Sequence, residues 1–206
     1  MKALLAVLPL AIVMSAGPQI VTAVFLATSR DARRNSLAFL ASVAAATTIG
    51  VTAFYLIGNA VSGDRSGDSG RNWFDYLILA LLVFLAVRVF MQRKTTEPPK
   101  WMGRLASADA RFSAKIGFVL YALMPTDIVS MATVGAYLAR EGAPWVQSLP
   151  FIALTVLIAG LPLIALLLMG RRAETVLPRV RNWMNANSWI VSEAVILFFL
   201  AVALFG

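Results

Sequence analysis

Six stretches of this chain run for about 18 residues or more with few charges, which marks each as a candidate membrane-spanning helix. They cover roughly residues 3–28, 35–60, 73–92, 113–138, 145–169 and 188–205. The chain is 60% hydrophobic and 14% charged, against about 25% charged for an average soluble domain. A soluble fold of 206 residues has no core large enough to hide that surface. The expected fold is therefore an all-α polytopic membrane protein, one six-helix transmembrane domain over 1–206. The opening "MKALLAVLPLAIVMSAG" offers a small-residue cleavage site at Ser15-Ala16-Gly17. Its apolar run continues to Thr28, longer than a signal peptide requires, and it reads as the first span.

The formal net charge of +8 is set by topology rather than by a nucleic-acid patch. Arg30, Arg33 and Arg34 follow the first span. Arg93, Lys94, Lys100, Arg104, Arg111 and Lys115 fall between the third and fourth, and Arg171, Arg172, Arg179 and Arg181 between the fifth and sixth. If six helices alternate in direction, these residues share one side. The other side holds only Lys2, Arg65, Arg71 and Arg140. By the positive-inside rule the richer side is cytoplasmic, so both termini lie outside a plasma (inner) membrane crossed many times.

Two halves of the chain resemble each other. Ser36-Leu37-Ala38-Phe39-Leu40-Ala41 answers Ser148-Leu149-Pro150-Phe151-Ile152-Ala153 at an offset of 112, and Pro18 and Pro125 lie 107 apart. Three helices per copy is an odd number, so the second copy must be inverted, a plan common among secondary transporters. Repeat one spans about 1–93, a cytoplasmic linker 94–111, and repeat two 112–206.

Helices 1 and 4 are expected to break at Pro18 and Pro125. Proline removes a backbone donor inside a helix, yet suits the first helical position. Half-helices over 18–28 and 125–138 would then start near the bilayer midplane and converge. Helix N-termini favour an anionic group, here one carried by a substrate. A plain proline kink is the alternative.

Between Lys115 and Arg140, Asp127 is the only charge in 24 residues. A carboxyl at mid-membrane costs at least about 2.5–3.5 kcal/mol to insert, which makes it a functional candidate. It reads as a proton carrier or a contact for substrate; capping of its own half-helix is the structural alternative. Low dielectric favours the neutral acid and a helix start favours the carboxylate. Gln19 holds the similar place in the first half, and Thr126 and Ser15 add hydroxyls. Arg88 and Glu193 are weaker candidates, close to the cytoplasmic interface. Ser42, Ala46 and Gly50 form a stripe of small residues suited to close packing.

With no cysteine and no histidine, the chain lacks the usual ligands of a transition metal. It shows no nucleotide-binding loop, no paired catalytic carboxylates and no nucleophile with its base. No enzyme activity, catalytic residue, metal or cofactor is expected. "KWMGRLASADARF" and "RVRNWMNANSW" mix Trp and Arg in a way that suits anionic membrane lipids, although Trp101, Trp183 and Trp189 also read as ordinary interfacial anchors.

"SAGPQI", "SLAFLA", "MPTDIVSMATVGAYLAR", "APW", "LPFIALTVLIAGLP" and "LPRVRNWMNANSWIVSEAV" together resemble the GAP family. These are the peptidoglycolipid- and sulfolipid-addressing proteins of mycobacteria and relatives, within the lysine exporter (LysE) superfamily. The resemblance covers nearly the whole chain, and its most specific pieces are the Pro-Thr-Asp motif and the "NWMNANSW" tail. It implies a six-helix inner-membrane transporter that moves a (glyco)lipid or lipid precursor toward the cell envelope. By motif it points to Gly17, Pro18, Gln19, Pro125, Thr126 and Asp127. The partners to expect are a lipid or glycolipid substrate and anionic membrane lipids, with a homodimer or larger lipid export machinery also open. A small-solute, amino-acid-like exporter and a non-transporting accessory subunit are the other function classes.

Overall fold

The structure is a computed structural model that describes residues 8–15, 18–63, 105, 107–172, 175–176, 179 and 183. The spans expected over 73–92 and 188–205 lie outside these residues, as does most of the linker. Six α-helices are seen: α1 (Pro9–Ser15), α2 (Pro18–Ala27), α3 (Ala32–Gly63), α4 (Ala110–Leu123), α5 (Pro125–Arg140) and α6 (Leu149–Met169). Among the described residues there is no strand. Two helical stretches, Ala32–Ala60 and Trp145–Met169, are long and apolar enough to cross a membrane. A third is the bent pair α4–α5, if the pair is counted as one span.

Local sequence explains where these helices start and stop. The Asp109 carboxylate accepts from the Phe112 N–H at 2.7 Å and caps the start of α4. The α4 ladder ends at Met124 because Pro125 has no N–H to offer the Tyr121 carbonyl, and α5 restarts with that proline. The axis turns by 65° between the two. α2 is described from Pro18 onward. At its far end the Thr28 and Ser29 hydroxyls donate to the carbonyls of Val24, Phe25 and Leu26, adding to the backbone bonds those acceptors take from Thr28 and Ser29. Gly170, at φ +51°, stops α6.

The long helix α3 is the central post. Along it, Phe39 and Ser42 meet Gly117 of α4, Gly50 meets Met131, and Gly58 meets Ala139 of α5. Residue numbers rise together on both sides, so α3 runs parallel to the α4–α5 pair. α6 runs the other way. Its Gly160 sits by Leu40, while the Trp145 indole N–H donates to the Thr52 hydroxyl at 3.0 Å. α2 follows α6, with Ala27 against Ala165 and Leu166. Leu56 on α3 and Leu157, Leu161 and Leu168 on α6 stay exposed, as a lipid-facing surface requires.

This arrangement separates the charges by end. Arg30, Arg33 and Arg34 at the α2–α3 turn share one end with Arg111 and Lys115 at the start of α4 and Arg172 beyond α6. Of the cations on the described helices, Arg140 alone stands at the opposite end. At the basic end the buried Asn35 amide donates to the Ser29 hydroxyl at 2.9 Å and to the Ala108 carbonyl at 2.8 Å, tying the α2–α3 turn to the lead-in of α4. At the other end the Tyr55 hydroxyl donates to the Ala143 carbonyl at 3.0 Å and fixes the α5–α6 connection.

Candidate functional site

In a nonpolar surrounding each hydroxyl must find an acceptor, and most here turn back onto their own helix. Thr22, Thr47, Ser130 and Thr155 each donate to the carbonyl four residues earlier. The polar groups around Pro18 and Pro125 behave differently. Gln19, second in α2, donates its amide Nε2 to Asp127 Oδ2 at 2.9 Å across 108 residues of chain. Asp127, third in α5, takes a second bond from the Thr126 hydroxyl at 3.2 Å on Oδ1. Its carboxyl is fully buried, and Gln19 is 1% exposed. The residue after Pro18 thus meets the first turn of the helix that starts on Pro125.

Both bonds to Asp127 come from side chains, and the cap residue of α5 is Met124, whose side chain makes no capping bond. The carboxyl therefore joins two helices rather than closing its own. Three more buried oxygens gather here: Ser15 Oγ at the end of α1, Gln19 Oε1, and the Tyr121 hydroxyl one turn before the break. Ser15 and Asp127 are the polar groups that face the Tyr121 hydroxyl. Neither completes a hydrogen bond to it, and Ser15 Oγ and Gln19 Oε1 are also without a partner among the described residues. An unmet buried polar group costs about 1–3 kcal/mol. Three beside one carboxyl form a buried polar cluster, with acceptor capacity at every position and donor capacity at two.

Of the residues singled out from sequence, the structure brings together Gln19, Thr126 and Asp127 directly, with Pro125 setting the start of α5, Pro18 next to Gln19 and Ser15 close by. Gly17, Arg88 and Glu193 lie outside the described residues. Tyr121 was missed. It is fully buried, its ring edge-on to Phe39 at 6.3 Å between centroids. The signal that marks it is its position four residues before Pro125, where the break also frees its carbonyl. Asn35 was missed too, since nothing adjacent in sequence reveals that its amide reaches Ala108.

No curated protein and no solved structure matches the chain. A family model described as Sap, sulfolipid-1-addressing protein, matches residues 7–206. By that match over almost its entire length, the chain belongs to the sulfolipid-1-addressing protein family.

Proposed function

We propose that this protein is an inner-membrane secondary transporter that exports a (glyco)lipid or lipid precursor with an anionic group toward the cell envelope, coupled to protons through Asp127. The observation that carries the reading is the buried Gln19–Asp127 bond, which joins the stretch after Pro18 to the half-helix that starts on Pro125, in a chain of a family named for sulfolipid addressing; a matching break before Pro18 belongs to the proposal. Broken helices that meet deep in a bundle are where transporters place their substrate and ion sites.

An inverted repeat, with membership of the wider lysine exporter superfamily, belongs to the same proposal. The packing supports it. α1 and α2 lie against α6 as α4 and α5 lie against α3, and α1 touches α5 as α4 touches α2. Every such contact between the halves has its counterpart when the halves are exchanged. The six-span plan over 1–206 places the basic end in the cytoplasm, by the positive-inside rule, and both termini outside. Export then runs from the basic end to the end that holds Arg140.

The mechanism follows from the bond. An ionised Asp127 accepts a charge-assisted hydrogen bond from Gln19, roughly twice as strong as a neutral one. Protonation weakens it and lets the half-helices part; loss of the proton draws them together. Inward proton flow thus alternates the two arrangements while cargo leaves. Purified protein in proteoliposomes should move a short-chain anionic lipid faster when the outer face is acidic. Asp127→Asn keeps the shape and loses the charge, so it should fold normally and lose gradient-driven export at least about tenfold. A folded Asp127→Asn protein that still exports uphill would end the coupling role.

One observation favours the small-solute reading. A carboxyl beside three unpartnered oxygens is an acceptor-rich set that suits an ammonium group. Saturable binding of a radiolabelled amino acid, lost in Asp127→Asn, would select it over the lipid.

A further inference from the structure

An anionic cargo needs a counter-charge, and the centre of the bundle does not supply one. The start of α5, where the sequence points to an anion, is held by the Asp127 carboxyl itself. No cation of the described helices lies near it. The positive charge sits at one end of the bundle instead. There Arg30, Arg33 and Arg34 of the α2–α3 turn face Leu166 and Gly170 at the end of α6 across a cleft of about 550 Å³.

We propose that this cleft binds the anionic headgroup of a membrane lipid and that the seam beneath it, between α6 and the α2–α3 pair, is the lipid's way inward. The role as an entry rests on the transporter reading above; the binding site stands without it. All three arginines are exposed, and none forms an ion pair among the described residues. Among the described residues Asp31 is the one acid on the cleft wall. A guanidinium fork matches two oxygens of a tetrahedral oxyanion at once, and it is the more weakly hydrated of the two common cations.

The position selects a lipid over a free anion. The cleft lies where α3 begins and α6 ends, which is headgroup depth for helices of spanning length. Directly beside it Leu167 and Leu168 are 52% and 82% exposed, a surface that acyl chains cover. The seam leads on from there. Ala23, Ser36, Phe39, Leu40, Ala159 and Leu163 surround a gap too narrow for water. Most of these side chains are small or flexible, and the buried Ser36 hydroxyl has no partner among the described residues. Pro162 sits on the same face and withholds an N–H from the Ile158 carbonyl. Ala23 is one turn from Gln19, so the seam ends at the coupling site.

The test uses the full chain in nanodiscs of phosphatidylcholine with a minor fraction of photoactivatable phosphatidylglycerol. Label should map to residues 28–37 and 160–172. Arg33→Gln with Arg34→Gln leaves Arg30, Arg111, Lys115 and Arg172 to hold the topology, and should cut labelling of these segments about tenfold. Arg33→Lys with Arg34→Lys keeps the charge and the insertion signal but loses the forks, and should cut it about threefold. Leu166→Trp fills the cleft from α6 without changing charge and should also reduce the label. Undiminished labelling in the Gln pair, or in the Lys pair, would show ordinary interfacial attraction and overturn the site. So would complete displacement of the lipid by millimolar inorganic phosphate, which would make it an ion site. Label in the cleft without export from proteoliposomes removes the transporter reading and keeps the site; export with no label there does the reverse.

Discussion

Two seams run along α3, and they are built differently. On one side α5 is pressed onto it through glycine. A Cβ on Gly135 would lie 2.7 Å from the Tyr55 nitrogen and 2.8 Å from the Val51 carbonyl oxygen, and one on Gly58 would lie 2.7 Å from the Ala139 Cβ. Backbone touches backbone there. On the other side α6 meets α3 through Leu40, and a Cβ on Gly160 would find it at an ordinary 3.4 Å, beside a gap that no atom fills. Atoms that face a gap forfeit dispersion contacts, so the second seam costs less to open. If the two halves of the chain are inverted copies, the counterpart of the α3–α5 seam is the contact of α2 with α6, which borders this same gap through Ala23, Ala159 and Leu163. One is closed tightly on the Arg140 side, and the other loosely toward the basic end.

The sharpest way to break this contrast is Gly135→Leu. The obstruction is backbone on Tyr55 and Val51 together with the Phe54 Cβ, none of which can rotate aside, so the loss should be about 3 kcal/mol or more. Thermal unfolding in detergent would register it, and the protein should be hard to recover. A mild loss would mean the α3–α5 seam is not the rigid one.

Next in size is a functional effect. The chain has no native cysteine, so Ala23→Cys with Ala159→Cys introduces a clean pair across the gap. Oxidation should stop export and reduction restore it. Full export by the oxidised, crosslinked pair would show that this seam need not open.

Gln19→Met keeps the volume and removes the donor to Asp127. It should cost about 1–3 kcal/mol, read as a lower midpoint of unfolding, and less at acidic pH where the protonated acid no longer needs a charge-assisted partner. An equal loss at all pH values would show that Gln19 packs rather than bonds.

The smallest effect is expected at Gly160→Ala. The added methyl meets Leu40 in ordinary contact, and alanine is the better helix former by up to about 1 kcal/mol. Stability should hold or rise slightly. A clear destabilisation would show that the seam has no slack.

These residues also show how far a sequence can be read. The break at Pro125 was legible because the missing N–H is a property of proline alone, wherever the chain goes; the junction expected before Pro18 lies outside the described residues. Asp127 was legible because a lone charge in an apolar run is visible without any fold. That it meets Gln19 was approachable, since both follow a proline in matching places. The expected helix over 35–60 proved longer, Ala32–Gly63, because charged residues near the ends of a span can remain helical while reaching water. The small stripe of Ser42, Ala46 and Gly50 does pack, with Ser42 on Gly117 and Gly50 on Met131. Gly135 is a different matter. One sequence says that it lacks a side chain but not which backbone has come to fill the space. Tyr121 and Asn35 were hidden for the same reason, as their partners are defined only after the helices have packed.

Asn35 has a mechanical meaning. Its single amide nitrogen serves two acceptors on separate parts of the chain, Ser29 before it and Ala108 far beyond it. The turn carrying the arginines therefore cannot slide along the membrane plane without dragging the entrance of α4 or surrendering a buried bond. A pull felt at the headgroup end is passed as strain to the helix whose other end is the bend at Met124. Asn35 works as a tie-rod, and it lets one end of the molecule sense what the middle is doing.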